Sequence, residues 1–85
     1  MSQHQHRFVE EYHGLVGFGL DRATDEASMT VYMQKFSDDD LMAVMRERMT
    51  DGEIDQLIDL LNRLMRAHLV EDEYHELFLK EPHEH

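Results

Sequence analysis

Two segments near opposite ends of the chain echo each other, Glu10-Glu11-Tyr12-His13 and Asp72-Glu73-Tyr74-His75. Each sets a carboxylate three residues before a histidine. Residues three apart share a helix face, so such a pair offers one oxygen and one nitrogen ligand to a single ion, as in di-metal carboxylate bundles. Glu10, His13, Asp72 and His75 are therefore the candidate ligands of a transition-metal site. A complete site of that kind needs two further carboxylates from facing helices, and the apolar side of the longest helical segment supplies none. With 19 acidic residues and 7 histidines in the chain, the same spacing also arises on plain solvated helix faces. His4 with His6, and His83 with His85, form two His-x-His pairs toward the termini, able to chelate weakly and equally explained as solvated polar ends.

Other chemistries find less to work with. The absence of cysteine removes a disulfide framework, a thiolate zinc site, a Cys nucleophile and a redox CxxC centre. Ser2, Ser28 and Ser37 lack the context of a nucleophile elbow, and no carboxylate pair stands in an apolar setting that would separate an acid from a base. The run Gly14-Leu15-Val16-Gly17-Phe18-Gly19 has neither the spacing nor the preceding strand of a dinucleotide-binding loop. No catalytic residue is assigned.

The apolar spacing that must position these residues has a helical period, with little sustained alternation of period two. Five short helices are expected. The first lies in Phe8 to Leu20 and weakens beyond Phe18: Gly14, Gly17 and Gly19 interrupt it, each interior Gly costing roughly 1 kcal/mol relative to Ala, and Val16, Phe18 and Leu20 alternate with glycines as a short strand would. The second follows Thr24 as its cap and runs to about Lys35; the third follows Ser37 and runs from Asp38 to about Arg48. The clearest boundary is Thr50-Asp51-Gly52-Glu53, a capping box in which hydroxyl and carboxylate each satisfy a free backbone N–H. A long fourth helix, residues 51–68, follows it. After a joint at Leu69 and Val70 the fifth covers Glu71 to Leu79, and Pro82 ends the ordered chain. The fold class is all-α, a small bundle of about five helices around the central helix 51–68.

Helix 51–68 is apolar over about half its circumference when set at about 100° per residue, wider than an ordinary surface helix needs. Ile54, Leu57, Leu61, Leu64 and His68 fall at alternating steps of three and four, the seam of a short coiled coil, and Met65 lies beside them. These six residues are the candidate interface. His68 sits on that face in the last turn, where a hydrogen-bonded core histidine is the ordinary expectation. Met29, Met33, Met42, Met45, Met49 and Met65 supply adaptable thioethers, either as core filler or as the lining of a partner groove.

Eight basic against 19 acidic residues give a formal charge of −11 over 85 residues. Such a surface repels phosphate backbones and anionic head groups, which argues against direct binding of nucleic acid or membrane. Much of the charge is helix punctuation: acids open the segments at Asp25, Asp38, Asp51 and Glu71, and bases close them at Lys35, Arg48, Arg66 and Lys80. The length supports one domain, residues 1–85, with flexible tails at about 1–6 and 81–85. No apolar run matches a signal peptide or a membrane span, and the lack of cysteine fits a reducing cytoplasm.

The succession Phe36-Ser37-Asp38-Asp39-Asp40-Leu41-Met42, then Leu60-Leu61-Asn62-Arg63-Leu64-Met65-Arg66, then Glu73-Tyr74-His75-Glu76-Leu77-Phe78-Leu79-Lys80 resembles small bacterial proteins described only as cytoplasmic. The resemblance runs through most of the chain and implies a bacterial, cytoplasmic origin; it implies no fold, activity or ligand. The expectation from the sequence is a non-enzymatic acidic interaction domain, homodimeric or bound to another protein. A metal-binding bundle is the alternative, and an acidic mimic of nucleic acid a further one.

Overall fold

The computed structural model describes residues 6–81. His4, Pro82, His83 and His85 lie outside the described residues, as does most of both expected tails. Every regular element among the described residues is helical: α1 (Arg7–Glu11), α2 (Arg22–Phe36), α3 (Asp39–Arg48), α4 (Asp51–His68) and α5 (Glu71–Glu73), the last winding on as a π-helical turn, Tyr74–Phe78. The all-α class holds. The chain groups into two compact units, residues 6–48 with α1 to α3 and residues 49–81 with α4 and α5. None of the described helices is long and apolar enough to cross a membrane.

In the first unit α1 stops at Glu11, well short of the expected Phe18, and irregular chain continues to Asp21. The glycines account for this. Gly19 adopts φ +87°, a left-handed conformation that side-chain-bearing residues rarely take, and a Cβ on Gly14 would overlap the Tyr12 ring. The irregular segment satisfies its backbone on polar side chains of α2 instead of on itself. The Gly17 N–H donates to Ser28 Oγ at 2.8 Å and the Gly19 N–H to Asp25 Oδ1 at 2.9 Å, while Val9 in α1 donates to Gln34 Oε1 at 2.8 Å. Phe8 stacks on Tyr12, and Phe18 meets Tyr32 edge-on, both at 5.2 Å between ring centroids.

Two caps differ from expectation by one turn or less. Asp21, rather than Thr24, caps α2: its carboxylate accepts the Thr24 N–H at 2.7 Å. That bond and the one from the Thr24 hydroxyl hold the Asp21 carboxyl below its usual range. Asp38, rather than Ser37, receives the first free N–H groups of α3, from Asp40 and Leu41. A carboxylate is the stronger acceptor at the positive end of a helix, and in both places one lies within reach. Ser37 instead closes α2 and hydrogen-bonds His6 Nε2 at 2.9 Å, so His6 is engaged although it was expected in the tail.

The second unit starts with the Thr50 capping box formed in full: Glu53 N–H to Thr50 Oγ1 at 3.1 Å and Thr50 N–H to Glu53 Oε1 at 2.9 Å. The helix it starts has the expected bounds. Leu69 and Val70 are extended, which breaks the chain direction before α5, and Glu73 Oε1 accepts the Val70 N–H to begin the next turn. The wide final turn closes with Leu79 N–H on Tyr74 O, and the chain reverses at Lys80, φ +58°.

The core is thin. Val31 and Ser28, both in α2, are the buried residues among those described. No residue of α4 is buried.

Candidate functional site

The exposed side of α4 is built by its own sequence. The capping box fixes where the helix begins, the absence of interior Pro lets it run five turns, and apolar residues recur every three or four positions along it. The outcome is a stripe that stays largely in solvent: Ile54 is 38% exposed, Ile58 48%, Leu60 40% and Leu64 45%. Leu57, Leu61, Met65 and Leu69 are half-covered. His68 is exposed, so it is a rim residue of this face and not the core histidine expected. Ile54, Leu57, Leu61, Leu64, Met65 and His68 thus lie on one helix face, as their spacing predicts. Ile58 and Leu60, which are not among the candidate interface residues, flank this face, and their exposure adds both.

At the C-terminal end the face opens into a cleft of about 310 Å³ between the last turns of α4 and the start of the π-helical turn. Met65, Leu69, Val70 and Tyr74 give it apolar walls, and Arg66 and Glu71 bring one charge of each sign. The cleft was not visible from sequence. It exists because Leu69 and Val70 are extended, swinging Tyr74 back beside Met65, and that joint was legible only as a break.

The charges along α4 are polar in both senses. Asp51 and Glu53 occupy its first turn and Arg66 and His68 its last, an arrangement that complements the helix dipole. The ion pairs formed among the described residues lie elsewhere, at Arg22–Glu26 and around His75.

The candidate metal ligands fall into the two units. Glu10 is in α1, but His13 lies beyond its end, so this pair does not share a helix face. The early stop of α1 removes the geometry on which that reading rests. Asp72 and His75 do belong to one continuous turn, yet His75 is engaged with other acids: Nδ1 lies 2.7 Å from Glu81 Oε1 and Nε2 3.9 Å from Glu71 Oε2. No group of three or more His, Asp or Glu side chains among the described residues is placed to hold a metal ion.

The His75 cluster works instead as a clasp. The hydrogen bond to Glu81 raises the His75 pKa above its ordinary 6.5, with the charges of Glu81, Glu71 and Asp72 acting in the same direction and partial desolvation opposing. The ring ties residue 81 back onto the turn, where the Glu81 N–H also donates to His75 O at 3.0 Å. Glu81 therefore belongs to the ordered turn, although it was expected in the tail. Tyr74 adds ring contacts on either side, edge-on to His75 and stacked on Phe78. This arrangement orders a chain end; it presents no open ligand position.

No protein-family model matches the chain, and neither does any curated protein or solved structure.

Proposed function

We propose that the chain is a non-enzymatic, acidic helical interaction domain that works as a homodimer joined through α4, in a cytoplasmic setting. The observation that carries this reading is the apolar face of α4, where Ile54, Ile58, Leu60 and Leu64 stand 38 to 48% exposed on a well-capped helix of 18 residues. Burying apolar surface is worth roughly 25 cal/mol per Å², so four such side chains on one stripe represent several kcal/mol of association free energy. A short chain with two buried residues among those described has strong reason to use it. The acids Asp55 and Asp59 lie on the other side of α4 and would remain on the outer surface of a dimer.

Sedimentation velocity from about one to several hundred micromolar tests the reading. A dimer is expected to form within this range, and Leu61→Asp, which sets a charge in the middle of the stripe, should return it to monomer with its helical content retained. A wild-type monomer at the highest concentration defeats the proposal.

A further inference from the structure

We infer that the cleft at the C-terminal end of α4 binds a free apolar α-amino acid, with its carboxylate on Arg66 and Asn62, its ammonium group on Glu71, and its side chain against Met65, Leu69 and Tyr74. The site belongs to a single chain and goes beyond the dimer reading without resting on it.

The cleft lies beside the apolar stripe rather than on it. At about 100° per residue, Asn62, Met65, Arg66 and Leu69 point to one flank of α4, and of these Met65 alone belongs to the candidate interface. The extended pair Leu69 and Val70 brings the start of the next turn, with Glu71 and Tyr74, alongside that flank. The volume of about 310 Å³ stands at the lower end of the roughly 300 to 1,000 Å³ of small-molecule sites, so a single amino acid suits it and a larger ligand does not.

The polar groups of the cleft are open. Among the described residues the half-buried Asn62 amide and the Arg66 guanidinium make no side-chain hydrogen bond, and no ion pair joins Arg66 to Glu71. A cation and an anion thus line one apolar-walled cleft without neutralising each other. The Glu71 carboxylate has His75 Nε2 at 3.9 Å, longer than a hydrogen bond, and keeps acceptor capacity for an ammonium group. Helix α4 also ends on the Glu71 side, where the negative end of its dipole favours a cation. Asn62 and Arg66, four residues apart on one helix face, supply donors to a carboxylate. A ligand of one sign meets one of these charges as a repulsion: an apolar acid faces Glu71, and an apolar amine faces Arg66. A zwitterion satisfies both and, being neutral, is not repelled by a chain of net charge −11. The apolar walls select the side chain, since a polar one would lie unpaired against Met65 and Leu69.

Titration of the isotope-labelled chain with L-leucine, N-acetyl-L-leucine and L-leucinamide, read by amide chemical shifts, tests this. Leucine, taken to about 20 mM to cover a millimolar affinity, is expected to shift the amides of residues 62–74 saturably. Each blocked analogue removes one charge of the ligand and should bind about five-fold more weakly, the scale of one exposed ion pair. Arg66→Gln and Glu71→Gln, both at exposed positions and both with a helix-forming replacement, should weaken leucine by a similar factor with helical content retained. No saturable shift at residues 62–74 overturns the inference, as does a leucine affinity that neither variant changes. N-acetyl-L-leucine binding as tightly as leucine would make the cleft a site for acids, and L-leucinamide doing so would make it a site for amines; either result overturns the zwitterion.

Discussion

Ser28 shows how much one small side chain carries here. It is fully buried on α2, and its hydroxyl accepts the N–H of Gly17 at 2.8 Å, holding the irregular segment after α1 against the helix. Ser28→Ala removes the acceptor of that part-buried amide, and the expected loss is about 1 kcal/mol, the net worth of one such hydrogen bond. Urea denaturation read by circular dichroism checks it; a change below a few tenths of a kcal/mol would show that the segment is held by its ring contacts instead. Nothing in the sequence marks Ser28, because its partner is a backbone group 11 residues away whose position depends on where α1 stops. His75 is the reverse case. Its Asp-x-x-His spacing drew notice for metal chemistry, whereas the acid it actually bonds is Glu81, beyond the turn. Because the folded pKa of His75 lies above its ordinary 6.5, the clasp contributes fully below pH 6.5 and is lost as pH rises through the folded value. Amide-exchange protection at Glu81 should therefore fall as pH is raised above 6.5, after correction for intrinsic exchange, and His75→Gln should remove the dependence. Protection that stays flat in the wild type would mean the ring does not hold the turn.

At the scale of elements, legibility follows how local the determining interaction is. The Thr50 box and the start of α4 are fixed by residues three apart, and both stand where the sequence puts them. The caps of α2 and α3 shift to Asp21 and Asp38 because a neighbouring carboxylate outcompetes a hydroxyl, a contest that spacing alone does not decide. Helix α1 gives way at the glycine segment, whose backbone is then satisfied by Ser28 and Asp25 of α2, partners 11 and 6 residues away that the spacing of apolar residues does not reveal. The candidate interface was legible for the same reason as the cap, since a stripe of period 3.6 lies within one helix, but the cleft beside it depends on the extended pair Leu69 and Val70 and was not. Thr50→Ala tests how much the cap contributes to that stripe. Two reciprocal bonds are lost, so helicity at the start of α4 should decrease with a cost of about 1 kcal/mol. The Ile54 end of the face should loosen first, and the dimer should weaken accordingly. Unchanged carbon chemical shifts at residues 51–54 would show that the turn holds without its cap.

For the whole molecule the balance lies between a thin core and a large exposed apolar surface. Charge adds to the demand: each chain carries −11, so two chains bring −22 (2 × −11) into one particle, and their repulsion must be outweighed by what the interface buries. Acids placed at helix starts soften the cost within each chain, since α2, α3 and α4 each open acidic and close basic and so complement their own dipoles. If the second copy completes the folded state, unfolding and dissociation are one event. Stability then follows protein concentration: a hundred-fold increase adds about 2.7 kcal/mol per dimer by mass action. Spread over the unfolding entropy of two chains of 85 residues, that is a rise in Tm of about 5 to 10 °C. Added salt should raise Tm as well, because net repulsion between two acidic chains is screened over about 10 Å at 0.1 M, a longer-ranged effect than the loss at a few rim pairs. Calorimetry at 5 and 500 micromolar, in low and moderate salt, separates the cases. A Tm independent of concentration identifies a chain that folds as a monomer, leaving the α4 face free for a partner of another kind. A Tm that rises with concentration and falls with salt would place attraction between unlike charges, rather than burial of the stripe, at the centre of the assembly.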